Sequence, residues 1–312
     1  MSGYIYALIS VFTWGTVFVI SRFVISRGII EPFALAFWRF FWSSIFLLFF
    51  LKFDFKKLIK ILKSDFMTFF FLSLTGIYLM STFIFISLKN TPASISSILM
   101  NSNPIFVFLI SLIFLKEKFS TIKLIGIIAG FIGCSFVIKG DFYIFTLRNI
   151  SLSTIYSIFS AISWAIYTIL GEKPTKKYGA IETTFIASLI GSIFLFLTCL
   201  LLKLNIWGRN LTGFLSGIYL GIIPTGIGFT LWFKALNYIK PSSLAPFQYL
   251  TPLITLLLST LLLKEKISFT SILGMFLIFI SIFLTQFNKS FGILYNIKMG
   301  KRIKKGSKSG NL

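Results

Sequence analysis

Long runs of apolar residues, separated by short polar loops, recur along the whole chain. A membrane-spanning helix needs about 20 mostly apolar residues, and ten stretches come close to that length. The predicted spans are 4–22, 33–51, 66–88, 93–115, 121–138, 151–170, 181–202, 212–236, 242–263 and 268–286. The loops between them leave no room for a soluble domain. The pattern therefore predicts an all-α membrane protein with ten transmembrane helices.

The second half of this pattern repeats the first. Residues 94–131 match residues 242–279 at a fixed offset of 148. The shared residues include Pro104/Pro252, Gly126/Gly274 and the triplet Lys-Glu-Lys at 116–118 and 264–266. Each half holds five spans, and because five is odd the two halves would lie in opposite orientations, as inverted repeats do in secondary transporters. We expect a first repeat at 1–140, a second at 141–287 and a basic cytoplasmic tail at 288–312.

Composition excludes a soluble protein, since 56% of the residues are hydrophobic and only 12% are charged. The net charge of +22 would suit nucleic acid, but the distribution of that charge does not. With the N-terminus inside, twenty of the thirty Lys and Arg residues fall in cytoplasmic loops or the tail, and nine fall in outer loops. This bias follows the positive-inside rule. We therefore expect a multi-pass protein of the cell (inner) membrane, with both termini cytoplasmic and no nucleic-acid partner.

The chain offers few groups for catalysis. It has no histidine, and its eight Asp and Glu residues lie at span ends or in loops. An enzyme site needs clustered reactive side chains, and a proton-coupled carrier usually needs a buried titratable group. We therefore expect no enzyme activity, no metal and no cofactor, and we favour a facilitator or exchanger over a carboxylate-driven antiporter. Cys134 and Cys199 fall inside spans, where packing is the expected role.

Several large polar or aromatic residues recur at equivalent positions of the two halves. Asn101 in span four matches Tyr249 in span nine, and Trp14 in span one matches Trp164 in span six. Tyr167 follows Trp164 by about one helical turn. Serines on the same helix stripes are explained by close helix packing. The five larger residues exceed what that role needs, so each is a candidate for binding substrate.

Arg39 is the one cation that lies well inside a predicted span. A charge at the bilayer centre costs roughly 2.5–3.5 kcal/mol on insertion scales. Arg39 follows Pro32 by seven residues, which puts it about 10 Å along the helix and in the outer half of the membrane. Its side chain could reach back to the outer headgroups, or it could face a cavity and attract a carboxylate or phosphate. A purely structural role is the third alternative.

The longest internal loop, at about 52–65, interleaves apolar residues with lysines. The apolar residues are Phe53, Phe55, Leu58, Ile59 and Leu62. This pattern is typical of an amphipathic helix that lies on a membrane surface.

A resemblance to a known family rests on residues in both halves. The run from Gly221 through Pro224 and Trp232 to Tyr238, continued by Pro241, Pro252 and Glu265, resembles the second half of an EamA-type transporter. Trp14-Gly15, Pro32, Arg39-Phe40, Pro104 and Glu117 are similar to the first half. This family belongs to the drug/metabolite transporter superfamily. Lys234 departs from the family pattern, which often has an aromatic or neutral residue there.

The resemblance implies two inverted five-helix halves around a central cavity, and transport by alternating access. It favours an exporter of amino acids or related compounds, whose partners are a small-molecule substrate and the lipid bilayer. A sugar-phosphate or nucleotide-sugar exchanger is the alternative, but it calls for several embedded cations on the phosphate. A membrane-embedded enzyme is the third alternative, and a homodimer stays open.

Overall fold

Helices are the regular elements of the part of the chain that the structure describes. The computed structural model describes residues 2–90, 98–139, 152–263 and 268–286, and no β-strand occurs within these ranges. Among the described residues, eight helices are long and apolar enough to cross a membrane. The all-α prediction is therefore confirmed for this part of the chain. The predicted tail at 288–312, the segment 140–151 that joins the two halves, and Glu265 lie outside the described residues.

The described residues of the first half form the following main α-helices. These are α1 (Ser2–Ser26), α2 (Pro32–Phe50), α3 (Phe55–Ser73), α4 (Met80–Asn90), α5 (Asn103–Phe114) and α6 (Thr121–Lys139). Between α3 and α4 the backbone forms a π-helical segment, Leu74–Leu79, which we call the first wide turn. In a π-helix the backbone hydrogen bonds span five residues instead of four, so the helix locally widens.

Among the described residues, the second half likewise has a wide turn after its third helix. It contains α7 (Leu152–Tyr178), α8 (Ala180–Leu201), α9 (Leu211–Leu220), α10 (Gly228–Leu236), α11 (Pro241–Leu244), α12 (Leu250–Leu263) and α13 (Phe269–Gln286). A second wide turn, Gly221–Ile227, joins α9 to α10. A 3-10 segment, Ala245–Tyr249, joins α11 to α12.

Eight of the ten predicted spans correspond to long helical stretches, two of which contain a wide turn, and the other two do not. The predicted span 93–115 is described only as the shorter helix Ile98–Phe114. The predicted span 242–263 is divided into α11, the 3-10 segment and α12. Pro246 lies in the 3-10 segment, and because proline has no backbone N–H it cannot sustain α-helical bonding there. These two spans occupy matching places in the two halves.

Helix pairings recur between the two halves of the chain. α1 packs on α10 and the second wide turn, and α7 packs on α4 and the first wide turn. α1 also packs on α12, and α7 packs on α5. α2 and α8, which are the second helices of their halves, pack on each other. Helices from both halves are therefore interleaved, and α1 and α7 each lie against the wide turn of the opposite half.

A face of small residues brings α6 and α13 into close contact. Gly126, Gly130 and Gly133 lie at helical spacing on α6. A Cβ on Gly133 would lie 2.8 Å from the Gly274 carbonyl oxygen of α13. A Cβ on Gly274 would lie 2.6 Å from the Gly133 carbonyl oxygen. The two backbones therefore touch directly, as at small-residue crossings of membrane helices.

The outer surface is strongly apolar, whereas many hydroxyl groups are buried. Phe114 and Phe269 are each 73% exposed, and Ile113 is 71% exposed. Ser10, Ser160 and Thr225 are fully buried. Soluble proteins rarely expose so much contiguous apolar surface. This arrangement suits a multi-pass protein whose outer residues face lipid.

The predicted surface helix forms the first part of α3. Asp54 caps it, because its side chain accepts a hydrogen bond from the Lys57 backbone N–H at 3.0 Å. Asp65 has non-helical backbone angles (φ −134°, ψ 37°) and kinks α3 at this point. The kink separates residues 55–64 from the apolar remainder of the helix. The helix predicted in the loop 52–65 is therefore present, and its place on a membrane surface stays a prediction.

Candidate functional site

Aromatic side chains from three helices meet near the middle of the bundle. We call this group the aromatic cage. Its members are Trp14 of α1, Trp164 and Tyr167 of α7, and Phe229, Trp232 and Phe233 of α10. The three helices converge because α1 and α7 both pack on α10. The aromatic cage therefore joins residues from both halves of the chain.

Phe229 lies at the centre of the aromatic cage. Its ring centroid is 5.6 Å from that of Trp14 and 5.1 Å from that of Trp164. The Trp14 and Trp164 rings meet edge to face, with centroids 5.4 Å apart and an interplanar angle of 87°. Tyr167 stacks at a tilt on Phe233, with centroids 4.9 Å apart. These separations are those of favourable aromatic pairs, so the aromatic cage is a packed unit.

Arg39 reaches this unit from α2. Its guanidinium carbon lies 5.5 Å from the Phe229 ring centroid and 5.1 Å from that of Phe40, within cation–π range. Its Nε donates a hydrogen bond to the Thr225 hydroxyl oxygen at 2.6 Å. Thr225 belongs to the second wide turn, in the interior of the bundle. The structure therefore directs Arg39 inward, and the alternative in which it reaches back to the outer headgroups does not describe this conformation.

The second wide turn supplies the polar backbone atoms of the site. Pro224 has no N–H, so the Leu220 carbonyl four residues earlier loses its α-helical partner. The Thr225 hydroxyl donates to that carbonyl at 2.9 Å. The Pro224 carbonyl accepts a hydrogen bond from Trp14 Nε1 at 2.9 Å. The wide turn thus holds both Arg39 and Trp14 in place through hydrogen bonds.

Three donors of the aromatic cage have no hydrogen-bond partner among the described residues. They are Trp164 Nε1, the Tyr167 hydroxyl and Trp232 Nε1, and all three are buried. An unpaired buried donor costs about 1–3 kcal/mol, and a ligand that accepts hydrogen bonds removes this cost. The four N–H donors on the terminal nitrogens of Arg39 likewise have no protein acceptor in this part of the chain.

Carboxylates lie elsewhere in the described structure. No Asp or Glu of the described ranges forms an ion pair with Arg39. The acidic side chains pair instead with lysines: Glu117 with Lys123, Glu172 with Lys176, Glu182 with Lys57 and Asp65 with Lys177. The site thus combines an arginine, an aromatic cage and unpaired donors, and no acidic side chain of the described residues pairs with the arginine. Such a site favours a ligand that has an anionic group and an apolar body.

Four of the six residues expected to bind substrate come together here, namely Trp14, Arg39, Trp164 and Tyr167. Asn101 is buried in the turn that precedes α5. Tyr249 is also buried, and its hydroxyl donates to the Ile127 carbonyl of α6 at 3.0 Å. Its ring lies against Gly130. The contacts that Tyr249 makes with α6 favour a packing role over contact with the aromatic cage.

Four residues of the site are absent from the set expected from sequence, namely Thr225, Phe229, Trp232 and Phe233. Thr225, Phe229 and Trp232 are spaced at intervals of four and three residues, so they lie on one face of a helix. That spacing was available in the sequence. The widening at 221–227, which turns Thr225 toward Arg39, was not.

Comparisons with known proteins agree with the helical pattern. The sequence profile of the EamA-like transporter family matches residues 1–139 and 151–287. An uncharacterized transporter of Archaeoglobus fulgidus is 31% identical over 258 residues, covering 82% of this chain and 88% of the relative. The uncharacterized transporter YyaM of Bacillus subtilis is 24% identical, covering 80% of this chain and 82% of the relative. A crystal structure at 16% identity matches with a TM-score of 0.75, covering 92% of this chain and 98% of the other, which shows a shared fold.

Proposed function

The chain belongs to the EamA-like transporter family, and on this premise we propose that it is a secondary transporter of small metabolites. The proposed substrates are amino acids or related compounds that carry a carboxylate. The proposed mechanism is alternating access, with export as the direction. A membrane transporter of this kind binds its substrate within the bilayer and carries out no covalent chemistry.

The observation that carries this proposal is the pairing of Arg39 with the aromatic cage. A guanidinium can bind a carboxylate through two parallel hydrogen bonds. Trp164, Tyr167 and Trp232 would supply further donors to the same ligand, and the ring faces would contact its apolar part. A partly buried arginine that points inward, without an acidic partner among the described residues and beside three unpaired donors, favours an anionic or zwitterionic substrate.

Alternating access is supported by the recurrence of features in the two halves. We propose ten transmembrane helices in two inverted repeats, 1–140 and 141–287, followed by the tail 288–312. The two wide turns begin at Leu74 and Gly221, which are nearly one repeat apart. In inverted-repeat carriers the halves exchange conformations around a shared site. The aromatic cage, built from both halves, is suited to that role.

We propose the cell (inner) membrane as the location, with both termini in the cytoplasm. The charge bias between the loops supports this orientation. Topology reporters fused after Leu312 and within the segment 139–150 should report opposite sides of the membrane. Reporters found on the same side would contradict the ten-span arrangement.

A counterflow assay in proteoliposomes tests the function directly. Vesicles loaded with single unlabelled amino acids would be diluted into the labelled compound, with and without a pH gradient. We expect accumulation for at least one amino acid without need of the gradient. Its carboxyl-amide counterpart should compete poorly because the amide carries no negative charge for Arg39.

The same vesicles separate the alternatives. Exchange of sugar phosphates in the absence of amino-acid transport would favour the phosphate-ester exchanger. Equal competition by the amino acid and its amide would contradict carboxylate recognition while leaving transport intact. Protein-free vesicles, and vesicles with the Arg39→Gln variant, provide the controls.

A further inference from the structure

The helix at 55–64 carries three separate stripes. Leu58 and Ile61 are buried against the protein. Phe55 and Ile59 are exposed by 55% and 53%, and they form an apolar stripe that points away from the bundle. The exposed lysines Lys56, Lys60 and Lys63 form the third stripe. At 100° per residue, the lysine stripe is centred roughly 90° around the helix from the exposed apolar stripe.

The length of this region explains why the helix need not span the membrane. The continuous helical stretch Phe55–Ile84 has 30 residues, which is about 45 Å at 1.5 Å per residue. The hydrocarbon core is only about 30 Å thick. The kink at Asp65 divides the stretch so that residues 66–84 are long enough to cross by themselves. The first ten residues are left for the membrane surface.

Contacts tie this helix to the second half of the chain. Lys57 Nζ lies 2.5 Å from Glu182 Oε1, near the start of α8. Asp65 Oδ2 lies 2.8 Å from Lys177 Nζ at the end of α7, and the Tyr178 hydroxyl also donates to Asp65. A force on the surface helix would therefore reach the ends of α7 and α8. Lys56, Lys60 and Lys63 take no part in the ion pairs of the described residues.

We infer that the helix at 55–64 is a binding surface for anionic phospholipid headgroups. Phe55 and Ile59 would insert among the acyl chains beside the bundle, and the three lysines would contact lipid phosphates. A basic side chain close to an anionic membrane contributes about fivefold to the binding constant, so three lysines contribute roughly a hundredfold. The amount of anionic lipid would then determine how deeply the helix at 55–64 inserts into the membrane. Because ion pairs connect this helix to α7 and α8, the lipid would also act on the ends of those helices. This inference concerns the membrane and does not depend on the transported substrate.

A fluorescent probe on the exposed apolar stripe tests this inference in the full-length protein. Cys134→Ser and Cys199→Ser remove the native thiols, and Ile59→Cys receives an environment-sensitive dye. The labelled protein is reconstituted into phosphatidylcholine vesicles, with or without phosphatidylglycerol. We expect a blue-shifted emission only with phosphatidylglycerol, because the helix then inserts more deeply. High salt should reverse the shift, since the Debye length falls to about 3 Å at 1 M.

Charge variants show which lysines are responsible. The variant K56Q/K60Q/K63Q should lose the response to phosphatidylglycerol, whereas the matched tail variant K301Q/K304Q/K305Q should keep it. Equal emission in both kinds of vesicle, or an unchanged response in the helix variant, would overturn the inference. If the helix variant does not reconstitute, the salt titration of the labelled parent protein provides the test. An emission shift that persists at high salt would then contradict the inference. Inorganic phosphate added to neutral vesicles should cause no shift, and a shift there would indicate binding of free anions instead of lipid.

Discussion

Replacement of Arg39 by glutamine separates a substrate-binding role from a structural one. The variant removes the positive charge and the hydrogen bond from Nε to Thr225. Thr225 still donates to the Leu220 carbonyl, so its hydroxyl keeps a partner. No acidic side chain of the described residues loses an ion pair. The structure therefore predicts a small effect on folding and a large effect on binding.

Both magnitudes follow from these contacts. A hydrogen bond to a charged group contributes about 1.5–3 kcal/mol, which corresponds to roughly 10- to 150-fold weaker binding of a carboxylate. Removing one partner of a buried ion pair destabilises a protein by about 3–5 kcal/mol, because it leaves the other charge uncompensated. That penalty does not apply here. The variant loses the bond to Thr225, but it also no longer has to keep a charged guanidinium partly out of water. We therefore expect a loss of stability of less than about 2 kcal/mol.

The assay compares substrate binding, counterflow and thermal unfolding in the same detergent preparation. Arg27→Gln is the matched control, because Arg27 is exposed and its guanidinium carbon lies 3.9 Å from the Phe23 ring centroid, away from the aromatic cage. We expect Arg39→Gln to lose transport while melting near the parent temperature, and Arg27→Gln to keep both. Parallel losses of transport and melting temperature would show that Arg39 is structural. Full transport by Arg39→Gln would refute its contact with substrate.

Three further predictions concern the packing around the site. Tyr167→Phe removes an unpaired hydroxyl, so it should weaken substrate binding and leave the melting temperature unchanged or raised. Tyr249→Phe removes the bond to α6, so it should lower the free energy of unfolding by about 0.5–1.5 kcal/mol with transport retained. The opposite order of the two melting temperatures would refute this assignment. Gly76→Ala would place its Cβ 1.9 Å from Tyr167 Cδ2, so we expect a cost of about 1–3 kcal/mol and loss of counterflow, and normal transport by this variant would contradict the packing. Asn101→Cys in a cysteine-free background should react with a membrane-impermeant thiol reagent more slowly when substrate is present, and a lack of reaction from either side would place Asn101 in dry helix packing.

The long apolar helices could be predicted from sequence because hydropathy alone defines a spanning segment. The same reasoning gave the surface helix, whose lysines and apolar residues alternate at helical spacing. It failed to predict the division of 242–263, although Pro246 and Pro252 are visible there. A proline within an apolar run is compatible with a kinked helix as well as with a 3-10 segment, and only the packing of neighbouring helices decides between them.

The site was partly predictable for a related reason. Trp14 and Trp164 were expected because they occupy equivalent positions and are too large for close helix packing. The partner of Arg39 was not predictable, because Thr225 is 186 residues away in the chain. Its orientation depends on the second wide turn, and the first wide turn contains no proline that could mark such segments in general. A local widening of a helix, as in the two wide turns, therefore cannot be recognised from the residue types alone.

The direct backbone contact between α6 and α13 has a consequence for synthesis of the protein. The end of α6 at Lys139 precedes the end of α13 at Gln286 by 147 residues. At about 5–20 residues per second, a ribosome needs roughly 7–30 s to produce that length. During this interval the glycine face of α6 is already in the bilayer, but its final neighbour does not yet exist. The nascent chain can therefore complete the packing of its fifth predicted span only when its tenth has been inserted, and a chain released earlier would leave that face open to chaperones or proteases.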